Sequence, residues 1–261
     1  MSLLEVSKLT RNFGGLTAVS EASLHIDEGE LVGLIGPNGA GKTTLFNVLT
    51  GVYPPSSGTI TLTLGGKETS IGGKAPYKIC AAGIGRTFQN IRLFKDLTVL
   101  ENVAIALQQN VPYNLFASLL HLPPYGSSER RIMAESQELL EVMGLGGKAA
   151  ELARNLSYGD QRHLEIARAL ATHPSLLLLD EPAAGMNPAE TVELTDLIAQ
   201  LRKDFGLSIL LIEHDMSLVM KICERIYVLD HGTVIASGTP GEVRNNPQVI
   251  EAYLGEDASH A

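Results

Sequence analysis

Cysteine is scarce in this chain. Cys80 and Cys223 are the only two, far apart in sequence. They are too few for a disulfide framework and read most simply as reduced cytosolic thiols. Basic charge is also short. Twenty Lys and Arg stand against 29 Asp and Glu, a net charge of -9, which argues against binding nucleic acid by counterion release. Long apolar runs are missing as well. No stretch of about 18 apolar residues occurs, so no segment is expected to span a bilayer. The opening Met1-Ser2-Leu3-Leu4-Glu5 lacks the basic n-region and apolar core of a signal peptide. No internal repeat or low-complexity tract is visible. What remains is ordinary soluble composition: 261 residues, 44% hydrophobic and 19% charged. That is enough for one large domain or a core with a subdomain, and any membrane role has to come through a partner.

Against that background one stretch stands out. Gly36-Pro37-Asn38-Gly39-Ala40-Gly41-Lys42-Thr43-Thr44 reads G-x-x-x-x-G-K-T, the phosphate-cradling loop. Leu31 to Ile35 before it is short, apolar and uncharged, as a buried parallel strand is. Leu45 to Thr50 after it continues as a helix that stops at Gly51. In that order, glycines let backbone N–H groups curl around phosphate oxygens, and the helix start adds its positive dipole end. Lys42 supplies a mobile charge for the β- and γ-phosphates, and the Thr43 hydroxyl can ligate Mg²⁺. The bland alternative, a chance glycine turn, does not explain the flanking strand and helix.

The rest of the chain supports an α/β reading. Leu4, Val6, Leu9, Ala22, Leu24 and Ile26 alternate with polar neighbours, which predicts two half-buried strands joined at Phe13-Gly14-Gly15. Phe13 in that turn can stack on a nucleobase, or fold back onto the core. Thr59 to Leu64 alternates as a strand, Gly65 to Lys74 reads as a surface loop, Ala75 to Ala82 as a short helix, and Gly83 to Phe88 as a strand. From Ile91 to Asn155 the texture turns helical, with a long connection at Val111 to Ser128 that carries Tyr113, Leu115, Phe116, Leu119 and Leu120. The second half returns to α/β: a helix after Ser157, buried strands at Ser175 to Asp180 and Leu207 to Ile212, and a helix from Pro188. A hairpin through Asp230 to Thr233 and short terminal helices at Val243 and Val249 to Leu254 follow. The expected organisation is a nucleotide-binding core with an antiparallel β subdomain at 1–90, a helical subdomain at 91–158, the rest of the core at 159–240 and a helical tail at 241–261.

The strand ending in Asp180-Glu181 has mechanical meaning downstream of a phosphate loop, because strand carboxyl ends of open α/β sheets converge on the ligand crevice. Asp180 is expected to hold Mg²⁺, directly or through water, and Glu181 to polarise an attacking water as general base. The alternative is a pair of acids kept for solubility. Gln89, between a strand and the helical region, can touch Mg²⁺ and the water, or be a plain loop residue. His214 follows another buried strand and is either structural or a γ-phosphate sensor. Ser157 is a good N-cap, and Gly159 lets backbone N–H groups approach an anion, so a second phosphate-ready helix start exists. A head-to-tail dimer would use both: each loop holds ATP and the opposing helix end closes over it.

Together these residues carry a family resemblance over nearly the full length. The chain resembles the ATP-binding subunits of ABC transporters. Phe13 matches the adenine-stacking aromatic, Gly36 to Thr44 the Walker A loop, Gln89 the Q-loop and Leu156 to Gln161 the signature. Leu176 to Glu181 matches Walker B with its catalytic glutamate, Ala184 to Asn187 the D-loop, and His214 the H-loop. The resemblance implies a P-loop NTPase (RecA-like) core with an antiparallel β subdomain and an inserted α-helical subdomain. It also implies ATP and Mg²⁺ as cofactors, and hydrolysis served by Glu181, His214, Gln89 and Lys42. Metal contacts would come from Thr43, Gln89 and Asp180, and nucleotide contacts from Phe13, the loop, Ser157 and Gly159.

Gly83 to Asn90, Leu156 to Gly159, Asp180 to Pro188, Ile212 to Met216 and the ending Arg244 to Gly255 look like the LivG-type group of bacterial branched-chain amino-acid importers. Urea-importer and lipopolysaccharide-export ATPases are near relatives, and a soluble P-loop phosphotransferase is the rival of another class. The implied partners are a second ATP-binding subunit (a homodimer or a LivF-like heterodimer), transmembrane permease subunits and, indirectly, a solute-binding protein. The implied location is the cytoplasmic face of the inner membrane. In relatives, coupling helices of the permease dock beside the Q-loop, where Leu93, Phe94 and Leu97 lie here. Tyr158, Asp160 and Asn187 depart from the family's commonest residues.

Overall fold

The computed structural model describes residues 1–110 and 123–259. Of the expected connection at Val111 to Ser128, the part before Pro123, with Tyr113, Leu115, Phe116, Leu119 and Leu120, lies outside the described residues. The chain divides into two compact units, Met1–Arg86 with Ser175–Ala261, and Thr87–Pro174.

The first unit holds two sheets. β1 (Ser2–Phe13) and β2 (Leu16–Asp27) form an antiparallel hairpin, with β4 (Ser57–Leu64) and β5 (Lys67–Ser70) continuing the sheet in the order β2-β1-β4-β5. The alternating residues Leu4, Val6, Leu9, Ala22, Leu24 and Ile26 are all buried. β5 corrects the expectation of a surface loop at Gly65 to Lys74. Gly65 and Gly66, at φ 56° and 78°, form a two-residue hairpin turn that returns the chain alongside β4. Two successive positive φ values are what such a turn needs, which accounts for the glycine pair.

The second sheet runs β10-β9-β3-β8-β7-β6. Its parallel strands are β3 (Leu31–Ile35), β6 (Ile84–Arg86), β7 (Leu176–Asp180), β8 (Ser208–Ile212) and β9 (Arg225–Asp230), and β10 (Thr233–Gly238) closes the edge antiparallel to β9. β3, β7 and β8 are buried at every position, the reason their sequences read as unbroken apolar runs. Each leucine so buried contributes about 2 kcal/mol. β6 ends at Arg86, not at Phe88, because only Ile84 to Arg86 find partners on β7. α1 (Lys42–Leu49) follows the loop after β3, α2 (Pro76–Ala81) precedes β6, α6 (Pro188–Phe205) joins β7 to β8, and α7 (Met216–Ile222) joins β8 to β9. α8 (Pro240–Arg244) and α9 (Pro247–Ser259) belong to this unit and do not stand apart as a tail.

The second unit is helical: α3 (Val99–Leu107), α4 (Pro123–Val142) and α5 (Tyr158–Leu170). α4 begins earlier than the charged cluster at Glu129 to Arg131 indicates, with two prolines in its first turn, where a missing N–H has no intrahelical partner to lose. Val103, Leu107, Ile132, Leu140, Leu164 and Ile166 are buried. The unit's limits fall at 86/87 and 174/175, where the sequence reading puts them at 90/91 and 158/159. The physical reason is that α5 packs against α3 and α4, so its whole length belongs with them.

Candidate phosphate-binding site

β3, β7 and β8 run side by side, with Leu34 opposite Ile212 and Ile212 opposite Asp180. Their carboxyl ends therefore finish level, and the loops that leave them share one edge. From β3 the chain enters Gly36 to Gly41. Gly36 sits at φ 150°, and a Cβ there would lie 2.0 Å from the Leu229 carbonyl oxygen. No other residue fits that approach. The loop is tied down where Gly232 N–H donates to the Ala40 carbonyl at 2.9 Å. α1 then starts with Gly41 as N-cap and no side-chain cap, so the positive end of the helix faces the loop. Lys42 is buried, with Nζ donating to the carbonyls of Gly36 at 2.7 Å and Pro37 at 2.8 Å. Thr43, Asn38 and Gly39 are exposed. A cage of backbone donors, a helix start and one ammonium suits a polyphosphate.

The end of β7 brings the acids. Asp180 is 2% exposed and pairs with Arg86, Nη2 to Oδ2 at 2.9 Å. The same guanidinium donates through Nη1 to Asn47 Oδ1 at 2.8 Å and Thr50 Oγ1 at 2.7 Å. Arg86 thus fastens β6, β7 and the end of α1 together. Sequence reasoning passed over it, because its partners lie far away in the chain. Glu181 takes φ 46° and donates its N–H to the Ile212 carbonyl at 3.0 Å. A non-glycine residue held there stores backbone strain, a frequent mark of reacting sites. His214 Nδ1 lies 3.9 Å from Glu181 Oε2 and 3.8 Å from Glu213 Oε2. Glu213, also passed over, is fully buried. Burial pushes its carboxyl above the ordinary range although it accepts N–H bonds from Ala183 at 2.8 Å and His214 at 3.2 Å. It ties the turn after β7 to the turn after β8.

Phe13 stands at the end of the β1–β2 hairpin, 37% exposed. The Arg11 guanidinium covers its ring at 4.4 Å, and Tyr53 meets it edge-on at 5.1 Å. The ring is held in place and keeps exposed surface. Asn187 caps α6, accepting from Ala189 N–H at 2.9 Å and Glu190 N–H at 3.0 Å. Its amide does the capping work that an aspartate would do equally well.

The first unit therefore brings together Gly36 to Thr44, Asp180, Glu181 and His214. Gln89, Ser157 and Gly159 belong to the second. There Ser157 is the N-cap of α5, its hydroxyl accepting from Asp160 N–H at 3.2 Å and donating to Asp160 Oδ2 at 2.7 Å. Lys148 Nζ meets the same carboxylate at 2.6 Å. Partial burial disfavours the Asp160 anion, yet these two bonds outweigh it and hold its pKa below the usual value. Gln89 is exposed, as is Ser157.

Comparison with known proteins agrees with this geometry. The model of the ABC transporter family matches residues 19–184, and that of the branched-chain amino acid ATP-binding cassette transporter matches residues 233–259. The high-affinity branched-chain amino acid transport ATP-binding protein LivG of Salmonella typhimurium is 52% identical over 254 residues, 97% of this chain and 98% of that protein. The corresponding protein BraF of Pseudomonas aeruginosa is 50% identical over the same shares. A crystal structure of the ADP conformation of an ATP-binding cassette of an ABC transporter superposes with a TM-score of 0.83 at 30% identity, covering 98% of this chain and 99% of that one. With a phosphate loop, a strand-end acid pair and a capped signature helix, and with relatives alike end to end, the chain belongs to the ABC transporter family as one of its ATP-binding, ATP-hydrolysing subunits.

Proposed function

We propose that this subunit drives an importer of branched-chain amino acids. The observation that carries the reading is the reach of the likeness. It extends past the cassette into residues 233–259, where the matching family is specific to branched-chain amino acid systems.

In this reading Phe13 stacks on adenine, the loop from Gly36 to Thr44 wraps the phosphates, and Lys42 turns from the Gly36 and Pro37 carbonyls toward the γ-phosphate. The Thr43 hydroxyl and the Asp180 carboxylate are hard oxygen donors of the kind Mg²⁺ prefers, with Gln89 as a third. Once bound, Mg²⁺ neutralises charge that develops on the phosphates. Glu181 takes a proton from the attacking water, and His214, beside it, holds the γ-phosphate end. Ser157 and Gly159 close over the nucleotide of a second ATP-binding subunit, identical or LivF-like.

Permease subunits receive the motion beside Leu93, Phe94 and Leu97. Phe94 is 47% exposed and packed under the Arg168 guanidinium at 4.9 Å, an aromatic surface suited to a helix-in-groove contact. Among the described residues no helix is long and apolar enough to cross a membrane. By likeness to its relatives, the subunit works in this reading as a peripheral component on the cytoplasmic face of the inner membrane, fed indirectly by a solute-binding protein.

The test is reconstitution with the permease and solute-binding protein in proteoliposomes. ATP-dependent uptake of labelled leucine is expected. Glu181→Gln should keep nucleotide binding yet slow turnover and uptake by on the order of a hundredfold. Uptake of urea but not leucine, or near-normal turnover in Glu181→Gln, would remove the solute or the base from the proposal.

A further inference from the structure

One turn into α5, past Ser157, stands an ion pair that the chemistry above does not use. Arg162 has no exposed surface and Glu165 keeps 4%. Arg162 Nη1 donates to Glu165 Oε2 at 2.8 Å. The same guanidinium reaches the backbone at Gln89: Nη1 donates to the Phe88 carbonyl at 2.7 Å and Nη2 to the Gln89 carbonyl at 2.9 Å. Glu165 completes the grip with the opposite sign. Its Oε1 accepts from Phe88 N–H at 3.3 Å and Arg92 N–H at 3.2 Å. Two side chains of one helix thus hold four backbone groups on either side of an exposed glutamine.

Stability is a poor account of this arrangement. Desolvation offsets most of the attraction in a buried ion pair. Burial here lifts the Glu165 carboxyl above its usual range in spite of Arg162. Arg162 Nε is also buried with no hydrogen-bond partner among the described residues, a further penalty. A pair of apolar side chains would fill the space without either cost, but would take these hydrogen bonds from the four backbone groups. What apolar residues cannot do is grip carbonyls and amides at once. Only a rigid guanidinium fork takes two carbonyls and a carboxylate together.

We propose that Arg162 and Glu165 are positioning residues for ATP hydrolysis. They fasten the backbone of Gln89 to the helix that begins at Ser157, so that the two motifs move as one piece. The inference rests on the reading of Gln89 as a residue of the reacting site. Docking of the Ser157 helix start on a partner's nucleotide then sets the position of Gln89 in the same chain.

The test is a mutant cycle on the full chain, with ATP turnover and ATP affinity measured separately. Arg162→Lys keeps the charge and loses the fork. Glu165→Gln keeps the shape and loses the anion. Each is expected to lower kcat about tenfold, the scale of a small misplacement of a reacting group, with ATP affinity within about twofold of normal. On a Gln89→Ala background, Arg162→Lys is expected to cause no further loss, since residues acting through one another are non-additive. A merely structural role would give multiplied losses. Hydrogen exchange supplies an independent arm: in Glu165→Gln, the amides of Phe88 and Arg92 exchange faster while those of β3 do not.

Multiplied losses in the double variant, or full kcat in both single variants, overturn the inference. Full turnover in Gln89→Ala overturns the reading beneath it. In that event unchanged exchange at Phe88 and Arg92 also sinks the clamp itself. If Arg162→Lys does not fold, Glu165→Gln runs the same cycle.

Discussion

Arg86 shows how much one side chain can organise. Its guanidinium joins Asp180, Asn47 and Thr50, with 9% of the Arg86 side chain and 3% of the Asp180 side chain exposed. Removing one partner of such a pair leaves a buried charge uncompensated, which costs about 3–5 kcal/mol. Arg86→Met is therefore expected to destabilise the fold by about that amount in denaturant titrations. Asp180→Asn in the same chain should restore much of the loss, because the carboxylate that faced the guanidinium is then neutral as well. Equal instability in single and double variants would show that packing, not charge, is the cause. None of this was legible in the sequence. The two residues stand 94 apart, and nothing local to Gly85-Arg86-Thr87 announces a partner at the end of β7. The glycine loop and the strand ending in Asp180-Glu181 were legible as elements, because the loop has a fixed spacing and the strands behind them are continuous apolar runs.

At the scale of the element, the helix starts at Ser157 and Pro188 are where sequence and structure agree. Thr98, Ser157, Asn187, Asp215 and Thr239 each cap a helix with a side-chain oxygen, and such caps are short-range signals. β5 was missed for the converse reason. Lys67-Glu68-Thr69-Ser70 is short, polar and at a sheet edge, so no buried face imposes an apolar pattern on it. Asp215 gives a pH prediction. The Ser217 hydroxyl, then the N–H groups of Ser217 and Leu218, hold its carboxyl below the usual carboxylate range against the opposing effect of burial. A depressed carboxyl contributes stability above its unfolded pKa and loses it as pH falls through the folded value. Asp160 acts in the same sense. Glu165 and Glu213, raised by burial, act in the opposite one. Asparagine caps as well as aspartate but does not titrate. Asp215→Asn should therefore melt like the parent at neutral pH and lose stability less steeply between about pH 5 and 3. Identical acid limbs in thermal melts of the two proteins would rule out the cap as a contributor.

For the whole molecule, the two cysteines serve as internal reporters. Cys223 is buried against β3, its Sγ 3.1 Å from where a Cβ on Gly33 would stand, and burial pushes its thiol up to about 12. Cys80 is half-buried. Only the thiolate reacts. An alkylating reagent at neutral pH should modify Cys80 in the native chain and reach Cys223 only with unfolding of the central sheet. Equal labelling rates in native buffer would mean that the sheet opens locally.

The position of β3 has a further consequence, for the order in which the protein is made. Leu31 pairs with Ile209 and Ile35 with Val228, so both neighbours of the strand that leads into the phosphate loop come from the far end of the chain. On the ribosome that strand emerges early and waits, apolar and unpaired, until nearly all the chain has been synthesised. Long-range pairing of this kind is slow and leaves sticky strands exposed meanwhile. A chain cut short before β9 loses the wall behind Gly36 and with it the nucleotide site, although every residue of the glycine loop itself is present.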